Sequence, residues 1–196
     1  LTYIPNTIEL QHYPYQERSH IAPKLLWVRA FANIYNPLLA LKVLQKLLTS
    51  YPKAQLSMVG PFKDDSIEVC KAYAKKHKLP VIFTGGMTKT DWIKYAQDFD
   101  IFINTTNVDN TPVSVIEGMA LGLPVVTTNV GGIPYLLEDE KEALLVPSDN
   151  VDAMTQAIIS LLKNPAQSKS LIKNGRKKVE KFDWEVVKKQ WVEILK

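Results

Sequence analysis

Asp109 and Glu117 stand eight residues apart, with a Thr111-Pro112 pair between them and Val113, Ser114 and Val115 directly after it. Thr111 can cap the first turn of a helix, and Pro112 suits the first helical position, where its missing N–H is no loss. The amides of Val113, Ser114 and Val115 then point forward and, with the helix macrodipole, attract an anion such as a diphosphate. Glu117 falls more than a turn inside this helix, among Val113, Val115, Ile116, Met119, Ala120 and Leu121. A carboxylate in that company costs on the order of several kcal/mol unless it is hydrogen-bonded. Two adjacent sugar hydroxyls could satisfy both of its oxygens; backbone N–H groups from a nearby loop are the alternative. Asp109 alone, ahead of a helix start, is a charge placement worth under about 1 kcal/mol. The pair framing forward-pointing amides is the more specific signal.

Positioning these groups is the task of the surrounding elements. Short apolar runs at 24–30, 54–60, 80–86, 100–106, 123–128 and 143–147 predict six strands, several of them buried. Between them the apolar residues recur at helical spacing, as in the leucines of 38–52 and in 88–99, where Trp92 and Tyr95 face inward. Asp64 or Asp65 caps the helix that carries Cys70, and lysines close it. Gly122 ends the helix holding Glu117, and Pro124 prevents its resumption. Strand and helix alternating in this way predict an α/β fold, a doubly wound parallel sheet of Rossmann-like type. Ligands on such sheets sit outside the carboxyl ends of the strands, where Arg29, Gly60, Gly86, Asp109 and Gly131 all fall.

The stretch DNTPVSVIEGMALGLPVVTTNVGGIPYLL, residues 109–137, resembles the donor-binding core of the GT-B retaining glycosyltransferases of family 4, group 1. These include glycogen, sucrose and sucrose-phosphate synthases and many bacterial polysaccharide enzymes. Their pattern has two glutamates separated by seven residues, then A-x-G-x-P-V-V and a Gly-Gly turn. Asp109 shortens the first acid by one methylene; Glu117 matches the second. The resemblance implies the C-terminal half of a GT-B architecture, a nucleotide-sugar domain over 1–182 and a helix over 183–196 crossing towards an N-terminal domain. YIPN at the start is similar to the segment leading into that half, and the opening LTYIPN reads as a piece cut from a longer protein.

The implied chemistry is transfer of a sugar, as by a hexosyltransferase, from a nucleoside diphosphate, UDP- or GDP-linked, to an acceptor hydroxyl. Glu117 would hold the ribose hydroxyls and Asp109 the donor sugar. Arg29, with the amides of 113–115, would stabilise the leaving diphosphate. The family's usual lysine, a turn or so past the arginine, is replaced near Tyr35 and Asn36. Gly85, Gly86 and Met87 would meet the base, although the glycines also suit a plain strand-to-helix turn. Gly131 and Gly132 open the turn beside the site, and Tyr135 stands where the family carries a glutamate. A sugar or lipid-linked acceptor belongs to the N-terminal half, so this chain by itself is expected to bind donor weakly and transfer nothing. A sugar-nucleotide epimerase, or a binding module without turnover, are the alternatives.

Composition bounds the rest. With 196 residues there is room for one full domain. A net charge of +4 and a pI near 9.0 permit an acidic partner, with the excess gathered in the lysines of 163–189. These read as a solvated helix face, with peripheral contact to an anionic membrane surface as the sharper alternative. Nucleic acid is disfavoured because no aromatics interleave with the basic residues. Cys70 is the lone cysteine, so no internal disulfide forms and a cytoplasmic location is expected. No motif calls for a metal or a cofactor, and His12 and His20 read as surface side chains.

Overall fold

The computed structural model describes residues 6–195; the YIPN segment therefore lies almost wholly outside the described residues. Six parallel strands form one sheet: β1 Lys24–Val28, β2 Gln55–Val59, β3 Val81–Gly85, β4 Ile101–Asn104, β5 Val125–Thr128 and β6 Leu144–Val146. Their order is β3-β2-β1-β4-β5-β6, the doubly wound topology expected from the alternation. Every strand predicted from the apolar runs is present, trimmed by one or two residues at its ends.

Both faces of the sheet are covered, which is why its inner strands read as continuous apolar runs. Side chains alternate along them. Leu25, Trp27, Ile101, Ile103 and Val126 point into one core, with Leu39, Leu44, Cys70, Met154 and Ile158. That core lies under α1 Pro37–Leu48, α2 Ser66–His77 and α6 Val151–Lys163. Leu26, Phe102 and Val125 point the other way, with Trp92, Ile116, Met119 and Val179. The helices there are α3 Lys89–Tyr95, α4 Val113–Ala120 and α7 Pro165–Val179. A short α5 Ile133–Leu136 follows β5, and α8 Trp184–Ile194 ends the described chain. Burial drives the Cys70 thiol pKa up to about 12, so it stays a protonated core side chain.

The sheet opens at its switch point. β1 pairs with β2 over five residues, from Lys24 with Gln55 to Val28 with Val59. It pairs with β4 only through Leu25 with Ile101 and Leu26 with Phe102. Beyond Leu26 the two strands are linked by a side chain instead, the Trp27 indole N–H donating to Thr105 Oγ1 at 2.9 Å. The loops after β1 and β4 thus part around a crevice, as the switch-point rule requires.

The first described residues and the last helix are joined. Ile8 N–H donates to the Phe182 carbonyl and the Trp184 N–H to the Ile8 carbonyl, both at 2.9 Å. Among the described residues no helix is long and apolar enough to cross a membrane.

Candidate functional site

Glu117 is 4% exposed in the middle of α4, surrounded by fully buried Val115, Ile116 and Ala120. Among the described residues its charge is met by two side chains and no loop amide. The Tyr13 hydroxyl donates to Oε1 at 2.6 Å, and the Lys89 ammonium, from the first turn of α3, pairs with the same oxygen. Burial, followed by the hydrogen bond and the charge of Glu117, holds the Tyr13 phenol well above its ordinary range, so it remains a donor. Oε2 has no hydrogen-bond partner among the described residues. Glu117 lines a cavity of about 300 Å³ together with Thr7, Tyr13, Lys89, Val113 and Trp184. His12 stands at its rim and pairs with Glu9 at 3.4 Å.

Two arginines hold α4 from behind. Arg18, 7% exposed, donates to the carbonyls of Leu121 at 3.0 Å and Gly122 at 2.8 Å, and its Nε reaches Phe99 at 3.0 Å. Arg176 donates to the Ala120 carbonyl. Cations at a helix C-terminus satisfy its free carbonyls and oppose the negative end of the dipole. Gly118 lets the helix lie directly on the sheet, since a Cβ there would be 2.9 Å from the Phe102 ring.

Arg29 follows β1 and Asp109 follows β4, and across the open switch point they form an ion pair. The guanidinium also stacks on the Tyr35 ring, 4.2 Å from its centroid. Burial pulls the Arg29 pKa down from its ordinary value while Tyr35 opposes the shift, and the group stays a cation. Beside the pair lies a second cavity, about 330 Å³, bounded by Arg29, Tyr35, Gly60, Met87, Trp92 and Ser114. Arg29 Nε and Ser114 Oγ are buried there without a hydrogen-bond partner among the described residues. Orphaned buried polar groups are rare in finished structures. A cation, a hydroxyl and a helix start around one cavity form a place for an oxyanion.

The helix start itself differs from the sequence expectation. Pro112 occupies the N-cap with an extended backbone, φ −70° and ψ 97°, and no side chain caps the first turn. Thr111 lies one residue too far out to cap, and lines another cavity with Gly132 and Tyr135. The Val115 amide is taken by the Pro112 carbonyl at 3.0 Å, so it does not point forward. The amides of Val113 and Ser114 remain, with no acceptor among the described residues.

The glycines act as spacers for the site. A Cβ on Gly60 would fall 1.7 Å from the Arg29 carbonyl, so the close approach that sets Arg29 needs glycine. Gly131 takes φ +56°, and its Cβ would be 2.1 Å from the Asp109 carbonyl. The Gly132 amide is already spent on that carbonyl at 2.8 Å. The pair thus presses the Asp109 loop into place. Gly85 closes β3 and accepts from the Gly60 amide at 2.9 Å; Gly86 packs beside Pro61, and Met87 faces the Arg29 cavity. Tyr135 is 91% exposed. Asp64, of the two candidate caps of α2, accepts from the Ser66 amide at 2.9 Å.

Sequence reasoning missed Tyr13, Arg18 and Lys89. Tyr13 and Arg18 sit in a polar stretch with no periodicity. Lys89 had one usable signal, its place four residues past the end of β3, on the ligand side of the sheet.

The sequence profile of the family described as glycosyl transferases group 1 matches residues 16–178, most of the chain. The sulfoquinovosyl transferase SQD2 of Arabidopsis thaliana is 26% identical over 151 residues, which cover 74% of this chain and 28% of that protein. The chain thus spans well under half of that relative's length. A crystal structure of Anabaena HepE in complex with UDP and glucose superposes with a TM-score of 0.87 at 16% identity, over 98% of this chain and 55% of the other. The C-terminal domain of LpcC, a glycosyl transferase group 1 family protein of Francisella tularensis, superposes at 0.78 with 14% identity. It is covered over 99% of its length by 90% of this chain. The chain belongs to the glycosyl transferases group 1 family and folds as the C-terminal half of the GT-B architecture.

Proposed function

We propose that the crevice binds the nucleoside diphosphate of an activated sugar and serves a retaining transfer to an acceptor hydroxyl, in polysaccharide or glycoconjugate synthesis. The observation that carries this reading is Glu117, a buried carboxylate with one oxygen satisfied, the other without a partner among the described residues, and a cavity beside it at the start of the same helix. A ribose diol fits that opening. One turn towards the N-terminus, the Val113 and Ser114 amides, Ser114 Oγ and Arg29 surround the place for the diphosphate, whose growing charge they stabilise as it leaves. Lys89, half exposed beside Val113, supplies the second cation from α3 instead of from the segment after β1. Asp109, held by Arg29 and the Gly131-Gly132 turn, faces the sugar. The sulfoquinovosyl transferase it matches is much longer than this chain, and recognition of the acceptor is expected from the part it does not span.

Calorimetric titration of the chain with UDP, GDP, ADP and CMP tests the reading. One nucleoside diphosphate is expected to bind saturably, and Glu117→Ala should weaken it about 10- to 100-fold, the worth of a hydrogen bond to a charged group. Circular dichroism should show the variant still folded. No saturable binding by any of the four, or binding unchanged in the folded variant, overturns the proposal.

A further inference from the structure

Oε1 of Glu117 has no room for a further donor. It accepts from the Tyr13 hydroxyl at 2.6 Å and from the Lys89 ammonium, which together use both of its lone pairs. A vicinal diol donates through two hydroxyls and can reach both oxygens of a carboxylate. Its first hydroxyl meets Oε2, which has no partner among the described residues; its second reaches Oε1 only if Tyr13 or Lys89 withdraws. The two are not held alike. Tyr13 is 5% exposed and belongs to the same buried cluster as Ile116 and Met119. The Lys89 side chain is 57% exposed, at the first residue of α3.

Lys89 also differs from the other paired lysines among the described residues. Lys46, Lys71, Lys141, Lys169 and Lys188 pair with carboxylate side chains that are at least 64% exposed, whereas that of Glu117 is 5% exposed. Taking the cation from a buried carboxylate is costly, so Lys89 leaves Glu117 only when another donor replaces it. A destination lies nearby. Lys89 and Val113 line the same cavity, and Val113 stands four residues before Glu117, a rise of about 6 Å along α4. The flexible stem of a lysine can carry its ammonium across such a distance without movement of α3. There the Val113 amide, Arg29 Nε and Ser114 Oγ have no acceptor or partner among the described residues. Arg29 itself is neutralised by Asp109, so this oxyanion place gains a net cation only when Lys89 arrives. We propose that Lys89 is a movable counter-ion, which neutralises Glu117 until a ribose diol takes over Oε1 and then turns to the diphosphate. The nucleoside and the diphosphate of one ligand thereby bind cooperatively through this side chain; the inference rests on the donor reading above.

The test is NMR titration of the chain with uridine, guanosine, adenosine and cytidine, each with and without saturating inorganic pyrophosphate. Pyrophosphate should tighten the nucleoside that binds by at least about fivefold, and by linkage the nucleoside should tighten pyrophosphate by the same factor. In K89M this coupling should vanish, and the nucleoside alone should bind no more weakly than to the unaltered chain. The matching nucleoside diphosphate should lose about tenfold in the same variant. K94M removes a like charge from an exposed position of the same helix and should keep the coupling. Independent binding of nucleoside and pyrophosphate in the unaltered chain, coupling that survives in K89M, or a nucleoside affinity that falls there together with that of the diphosphate would overturn the inference. The coupling is read in the unaltered chain, so the test stands whether or not K89M folds. A chain that binds no nucleoside diphosphate defeats the donor reading and this inference with it; a chain that binds one without coupling defeats this inference alone.

Discussion

Glu117 concentrates the chemistry of the site into one side chain, because a buried carboxylate must be satisfied in every state of the protein. Tyr13 and Lys89 share one of its oxygens, and this arrangement keeps the other available without leaving the charge unsolvated. Tyr13→Phe removes the neutral donor and little volume. It should lower stability at neutral pH by about 1.5–3 kcal/mol in urea unfolding, the usual worth of a hydrogen bond to a charged group. The tyrosine also sets a pH dependence. Its folded pKa lies above the ordinary value near 10, so unfolding releases a proton once the pH exceeds that value. Stability is retained below about pH 10 and falls as the pH climbs towards the folded value. Cys70, raised to about 12, adds a similar loss that begins lower, above the ordinary thiol range. Tyr13→Phe should therefore flatten the alkaline slope above pH 10 and leave the cysteine contribution. A slope unchanged in the variant would show that Tyr13 is not held protonated by the fold.

At the scale of the element, α4 is a short helix that must keep its N-terminus open to a ligand, so its position has to be secured elsewhere. Arg18 and Arg176 hold its last carbonyls, and Gly118 seats it against the ring of fully buried Phe102. In an exposed helix, glycine to alanine stabilises by roughly 0.5–1 kcal/mol. Gly118→Ala should have the opposite sign, a loss of about 1–3 kcal/mol from overpacking. A thermal melt showing no loss would mean that the helix is not tightly seated. The site of this helix was legible in the sequence because its apolar run, its glycine stop and Pro124 are all local features. Its start was read one residue too early. Pro112 suits both the N-cap and the first helical position, and the choice between them is made by the loop that the Gly131-Gly132 turn presses inward.

The whole molecule is closed by its early segment. Ile8 hydrogen-bonds across to Phe182 and Trp184, Tyr13 reaches Glu117, and Arg18 grips the end of α4. A chain lacking residues 1–20 keeps all six strands yet loses those contacts. It should be destabilised by at least about 3 kcal/mol, since buried carbonyls and a buried carboxylate lose their partners. It should also bind the nucleoside diphosphate more weakly than the full chain. Equal melting temperatures for the two would show the early segment to be dispensable to the fold.

The sheet, its six strands and its parallel order of winding follow from patterns a few residues long: runs of Leu, Ile and Val that must be covered on both faces, punctuated by Gly and Pro. Asp109, Glu117 and Arg29 could be picked out in the same way, as charged residues at strand ends or in an apolar helix. Their partners could not. Arg29 meets Asp109 only because β1 and β4, far apart in sequence, are neighbours that diverge after two paired residues. Glu117 meets Tyr13 across 104 positions, and Lys89 across 28. No local periodicity encodes such distances. Which polar group satisfies a buried charge, and which oxygen it leaves free, is decided when the strands pack side by side, since only then are those side chains within hydrogen-bonding reach.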